Sequence, residues 1–474
     1  MSLPSPRETF SVSNPRAVWL ITGAHAVNEF YSVAIPPVIP LLVSDLGISY
    51  AEAGGLLTVY YLVYSAFQLP AGRLADRIGQ RGLLAGGMIV LAGGVLLAAV
   101  APDYRTLLAA QALAGVGGST YHPAGMSLIS DLESGGTEGR AMGIHGLGGV
   151  AGTALAPALV GGLAALLDWR TALAAGAGVG VVYAVVFTAL FAVPGADDEG
   201  DGDGGGDGGG TGDGGTGGGT LDGDDGDAVD TDGGTTGGAG AGTSEPDAAA
   251  DGAGRESRAG ASSPTAPAGG LRGRVEGGAA RLRAAVEDAL NVPLAPWVVV
   301  LFVADFLVSF ETGAVRTFAT SYLTGRVGGT GAANGVFFVM LVGGGVSSLG
   351  AGHLADRVNR KVMGTVVLVA TGLGLAATAV VPLGALVVYV WFFLLGLVMY
   401  AIFPAINAIT TQYSEREFSG SLFGLMLTAG SLGGAAGPLA FGWLAEATSI
   451  GVAFPAIAGV SLLGALVFLL LFRV

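Results

Sequence analysis

Cysteine is missing from the 474-residue chain. No disulfide can staple it, and no thiolate can hold a metal or act as a nucleophile. Lysine is nearly missing as well: Lys361 stands alone among arginines. Charge of any kind is scarce, since Asp, Glu, Lys and Arg make up only 12% of the residues. A soluble chain of this length needs far more, because polar groups must cover its core. Other absences narrow the chemistry. Nothing matches the phosphate-cradling pattern G-x-x-x-x-G-K-[ST], so ATP hydrolysis cannot drive the protein. Neither H-E-x-x-H nor a serine-elbow pattern appears, which argues against an intramembrane enzyme. The alternating apolar-polar strands of a β-barrel are nowhere seen. What is present is apolar: 51% hydrophobic residues, a mean hydropathy of +0.65 and long apolar runs from end to end. Lipid is the implied solvent.

The net charge of −15 is local. Sixteen Asp and Glu, with no Lys or Arg, lie between Gly195 and Gly254, and the remainder is close to neutral. The charge therefore implies no nucleic-acid partner. Gly-rich and self-repelling, this tract cannot bury enough apolar surface to order itself, so residues 195–292 are expected to form a disordered cytoplasmic linker. Within it, residues 271–290 have the pattern of a short basic amphipathic helix lying on the membrane, or of an ordinary solvated helix.

A bilayer core of ~30 Å takes roughly 20 apolar residues per helix. On that rule spans are expected near residues 17–43, 51–71, 83–101, 105–130, 141–166 and 170–193. A second set is expected near 296–323, 332–352, 362–381, 384–411, 418–445 and 450–472. The polar stretch before residue 16 is no signal peptide, because the apolar run after it is too long for an h-region and lacks a clear cleavage site. The fold class is thus all-α membrane protein, with bundles over 1–194 and 293–474. With both termini inside, cytoplasmic segments collect Arg7, Arg16, Arg73, Arg77, Arg81, Arg140, the cluster from Arg255 to Arg283, Arg357, Arg360, Lys361, Arg416 and Arg473. Outer loops hold only Arg105, Arg170 and Arg326, which is the positive-inside pattern.

The two sets repeat each other. "GRLADRIGQR" at Gly72–Arg81 returns as "GHLADRVNRK" at Gly352–Lys361. His122-Pro123 in span four aligns with Phe403-Pro404 in span ten, and Ala156-Pro157 in span five with Gly437-Pro438 in span eleven, preceded by Gly152 and Gly433. All are separated by 280 or 281 residues, which means a duplicated six-helix unit. In the repeated loop, Gly79 suits a turn with positive φ, and Asn359 tolerates the same conformation. Asp76 and Asp356 could face a helix N-terminus.

This duplicated Gly-x-Leu-Ala-Asp-Arg loop resembles the signature of the major facilitator superfamily. The resemblance implies two bundles rocking about a central cavity, with Gly72, Asp76, Arg77, Gly352, Asp356 and Arg357 in cytoplasmic gating loops. Gln80 departs from the basic residue usual there, which would weaken one latch contact.

Ionisable groups inside spans are functional candidates, because charge in lipid is costly. His25, Asn28 and Glu29 share one face of span one. In span four Pro123 frees a carbonyl near Ser119, beside Tyr121 and His122, with Gln111 three turns earlier on the same face. The alternative is a satisfied polar cluster that locks helices together for span one, and a structural histidine for span four. These stretches, with the Gly-rich segment of span five, resemble the fosmidomycin-resistance branch of the superfamily, with Glu29 where that branch usually has Asp. Asp305 and Arg316 face the same way on span seven, and Glu311 lies on another face. Arg316 could meet Asp305 or an anionic substrate, or snorkel to the outer interface. Tyr400 and Asn407 are cavity candidates in span ten. Pro123, Gly152, Pro157, Pro404, Gly433, Gly437 and Pro438 suit packing and hinge motion.

The expected function is secondary active transport of a small solute by alternating access, as proton-coupled efflux of a drug or metabolite, with uptake symport as the alternative. Glu29 or Asp305 would carry the proton, with His25 and His122 beside them. A non-transporting receptor is the reading from another class. Expected partners are the substrate, protons and the bilayer, for a monomer in the plasma membrane. No cofactor and no metal is expected.

Overall fold

The computed structural model describes residues 11–134, 137–191, 295–355, 357–380, 384–413 and 419–473. The linker, the 271–290 segment, Asp356 and Arg416 lie outside the described residues. Among those described there is no strand, and the helices make twelve passes.

Ten passes are long and apolar enough to cross a membrane on their own composition. The other two are spans two and four. Span two is one helix, Tyr50–Ile78, diluted by Tyr60, Tyr61, Tyr64, Ser65 and Gln68. Span four is broken into Tyr104–Gly118 and Tyr121–Leu132. The break falls at Ser119–Thr120, where the ring of Pro123 denies Ser119 its helical partner. Span ten breaks at the repeat-related place, between Ala385–Tyr400 and Ile402–Tyr413, ahead of Pro404. Span one also departs from a single helix: Pro15–Ser32 gives way to a tight turn at Pro36–Val38, then Ile39–Leu46. Span five unwinds into a wide turn at Pro157–Gly161. Each break has its proline.

Side-chain caps start the even spans of the first half. Ser49 and Glu52 close a capping box, Asp103 accepts from the Thr106 N–H at 2.8 Å, and Asp168 from the Thr171 N–H at 2.9 Å. Bonds from Thr106 and Thr171 hold both exposed aspartates below the usual carboxyl range.

Glycine contacts show the duplication in three dimensions. A Cβ at Gly152 would stand 2.0 Å from the carbonyl oxygen of Ala26, and one at Gly433 would stand 2.2 Å from that of Phe306. Span five thus crosses span one, and span eleven crosses span seven, at equivalent points where only hydrogen fits. The repeated loops are tethered alike. Gln80 donates to Ser127 (2.9 Å) and Asp131 (2.8 Å), while Arg360 donates to the Ala408 carbonyl (3.2 Å) and Gln412 (3.3 Å), 281 residues on from those acceptors. Gln80 thus fastens its loop to span four of its own half. Asp76 and Arg77 are exposed and make no hydrogen bond or ion pair with other described residues. Asp76 lies within the last turn of its helix and caps nothing. Gly79 has φ of 81° as expected, but Asn359 does not: its φ is −64°, and its side chain caps the next helix through Lys361 and Val362 N–H.

The halves meet at the end of the bundle opposite these loops. Thr58 Oγ1 donates to the Ala435 carbonyl at 2.6 Å, and Asn334 Nδ2 to that of Pro37 at 3.1 Å. A Cβ at Gly54 would stand 2.2 Å from the Pro438 oxygen, and one at Gly442 2.4 Å from that of Tyr50.

Candidate functional site

Between the halves lies a cavity of about 520 Å³. Its walls include Glu29, Ser32, Tyr60, Tyr61, Tyr64, Gln68 and His122 from the first half. From the second half come Asp305, Ser309, Thr312, Arg316, Asn407, Phe423, Met426 and Leu427. The contacts of Gly54, Thr58 and Asn334 close one end. Towards the loop end the lining residues Phe423 and Leu427 are 42% and 58% exposed, so the cavity opens there.

The titratable centre is assembled by spans one, four and five. His25 Nδ1 lies 2.9 Å from the carbonyl oxygen of His145. A carbonyl only accepts, so Nδ1 carries the hydrogen and Nε2 holds the lone pair of the neutral ring. The His25 ring lies parallel to those of His145 (centroids 4.0 Å apart) and Tyr121 (5.0 Å), which are 5.8 Å from each other. Tyr121 donates its hydroxyl to the Ile21 carbonyl at 3.0 Å, so His145 Nε2, 2.9 Å from that oxygen, must be the donor to it. Tautomer and ring position of His25 are thus fixed by neighbours with no freedom of their own.

Glu29 stands at the cavity edge of this stack. Ser32 Oγ lies 3.2 Å from Oε2, Asn28 Nδ2 donates to Oε1 at 3.3 Å, and His122 Nε2 is 3.9 Å from Oε1. Across the gap, Arg316 Nη2 donates to Ser32 Oγ at 3.3 Å, while its buried Nε has no partner among the described residues. Ser32 therefore links the two charges without a direct ion pair. Arg316 turns inward to span one and does not snorkel.

The structure gathers Glu29, His122, Asp305, Arg316 and Asn407 on one cavity, with His25 and Asn28 directly behind Glu29. Asp305 and Arg316 share the cavity but form no ion pair. Tyr400 borders a smaller side pocket together with His25, Glu29 and Arg316. Gln111 is 3% exposed inside the first half and lines neither space, and Tyr121 acts through His145 rather than on the cavity. Glu311 is buried away from the cavity. Pro123 lies by Gly72, where it joins span four to the loop end of span two.

Groups that the sequence did not single out include His145, Ser32 and the Tyr60–Tyr61 pair, with Tyr64, Gln68, Ser309 and Thr312 on the cavity wall. His145 carried a usable signal, being an ionisable residue inside a span. Ser32 gave none, since it matters only through a span seven residue 284 positions away.

The family model of the Major Facilitator Superfamily matches residues 19–438, and again residues 301–474. The chain belongs to that superfamily. Among curated relatives, the puromycin resistance protein of Streptomyces alboniger is 32% identical over 164 residues, 34% of this chain and 33% of its own. The fosmidomycin resistance protein of Escherichia coli is 31% identical over 153 residues, 31% of this chain and 37% of its own. The match thus spans about a third of these relatives' length. In three dimensions the fold is similar to a bacterial homologue of the lysosomal transporter Spinster in an inward-facing, occupied conformation. The TM-score is 0.66 at 14% identity, covering 96% of both chains.

Proposed function

We propose that this superfamily member is a proton-coupled exporter of small organic solutes, working by alternating access from the plasma membrane as a monomer with both termini cytoplasmic. One observation carries the reading: a cavity sealed at one end and open at the other, between duplicated halves, with Glu29, His122, Asp305 and Arg316 on its walls. Charged groups at mid-membrane need a task or a partner, and here water and a solute can reach them. The arginine-rich loops put the open end in the cytoplasm. The drug-resistance relatives favour export.

In this cycle a proton and the solute compete for one cavity. A protonated Glu29 loses its attraction for His122 and Arg316, which frees the wall to rearrange. Two curated names supply the probes, puromycin and fosmidomycin. In proteoliposomes with an imposed pH gradient, the wild-type protein should move at least one of them uphill. Glu29→Gln should abolish pH-driven flux and keep probe-for-probe exchange. Uphill flux in that variant would remove Glu29 from coupling, and flux along the proton gradient would turn the exporter into an uptake symporter.

A further inference from the structure

We propose that His25, Glu29 and His122 form a binding site for a divalent first-row transition ion of the zinc class, and that its occupation blocks transport. One ligand atom from each of the three side chains lies within 4.8 Å of the others. Tetrahedral zinc at ~2.0–2.1 Å from each donor sets donors about 3.4 Å apart. The 3.9 Å between His122 Nε2 and Glu29 Oε1 is already near that figure, so small side-chain rotations close the site.

Three features separate this cluster from a chance meeting of polar groups. His25 is held by an Nδ1–H bond to a backbone carbonyl and presents Nε2, the outer-shell arrangement of metal-ligating histidines. That carbonyl is backbone of the span five helix, Glu138–Ala156, so the presenting group is rigid. His122 has a buried Nδ1 with no partner among the described residues, and its other nitrogen faces Glu29. Two imidazoles with one carboxylate suit zinc, cobalt or nickel and disfavour magnesium and calcium, which want oxygen donors. The fourth position faces the cavity, where Arg316 favours an anionic group or hydroxide. Glu29 and His122 both belong to the first half, so a bound ion blocks transport by occupying the groups that the proton and the solute need.

The site shares Glu29 and His122 with the proton-coupled reading, and binding and flux are therefore measured separately. Full-length protein without a polyhistidine tag, stripped with chelator in detergent, is titrated with Co²⁺ and then with Zn²⁺. The expected result is one ion per chain, intense visible absorption from tetrahedral Co²⁺, and displacement by Zn²⁺. The near-isosteric His122→Gln and Glu29→Gln should each weaken binding at least tenfold. Asp305→Asn should bind as wild type. Absence of stoichiometric binding, or wild-type affinity in both triad variants, would overturn the site. Zn²⁺ at saturating concentration should stop wild-type flux, and unaffected flux would refute the block. PH-driven flux without Co²⁺ binding would leave the coupling reading standing and sink this one; binding without pH-driven flux would do the reverse.

Discussion

Gly54→Ala tests how the closed end of the cavity is held. The glycine faces the backbone of span eleven, and its added Cβ would stand 2.2 Å from the Pro438 oxygen and 2.7 Å from the Pro438 carbonyl carbon. Ordinary contact needs about 3.4 Å or more, so the two helices must part by about 1 Å. Backbone lies on both sides, and no flexible side chain can yield. Overpacking of this kind costs about 1–3 kcal/mol. The cost falls on the state closed at this end and is relieved when the halves separate there. It should therefore raise the population open to the far side by about 5–150-fold. The cysteine-free chain makes the assay direct. A cysteine replacing Thr312 on the cavity wall is labelled with a membrane-impermeant maleimide applied from outside. Labelling should accelerate within that range when Gly54→Ala is added. An unchanged or slower rate would refute the reasoning.

Further outcomes follow from the same contacts. Gly152→Ala, with its Cβ 2.0 Å from the Ala26 oxygen, should destabilise the first half by about 1–3 kcal/mol, while Gly82→Ala, with open space around it, should be neutral; thermal unfolding in detergent reads both. His122→Ala should weaken affinity for the transported probe about tenfold at unchanged protein level, near 1.4 kcal/mol, and wild-type affinity would take it off the binding surface. Glu133 anchors the start of span one by accepting from the Ser13 N–H at 2.9 Å and the Asn14 N–H at 2.6 Å. Burial pushes its pKa up, but these bonds outweigh it and leave the carboxyl below its ordinary value. The tether is therefore complete above the unfolded value of about 4.3 and is lost as pH falls through the lower, folded value. Protection of the Ser13 and Asn14 amides, taken relative to the intrinsic exchange rate at each pH, should fall with acid in that window, and Glu133→Gln should be weakly protected throughout. Deleting residues 200–254 should leave flux intact; lost flux at normal expression would give the acidic tract a role in the cycle.

Much of the fold is legible in the residues because each rule involved is local. The apolar-length rule locates all twelve passes, and spans two and four, the two least apolar, still emerge as helical passes. Prolines at 123 and 404 announce the breaks in spans four and ten. The glycines at 152 and 433 announce close crossings, though not the carbonyls they meet. What the chain order hides is partnership across it. Asn359 looks like a turn residue and proves to be a cap, because its side chain, which glycine lacks, accepts from the Lys361 and Val362 N–H groups. Gln80 looks like a lost charge and proves to be a tether to span four. Gln111 looks like part of the His122 face, yet the break at Ser119–Thr120 separates the two segments and leaves it inside the bundle. The His25 tautomer is set by a backbone carbonyl of span five, at His145, 120 residues away in the chain.

The most direct test of the central claim measures both ends of the cavity at once. Spin labels on cysteines replacing Arg77 and Arg357 report the loop end, and labels replacing Leu167 and Thr448 report the far end. Between high and low pH with a transported probe present, one distance should lengthen as the other shortens. Distances that stay fixed, or that change in the same direction at both ends, would contradict two halves rocking about a shared cavity.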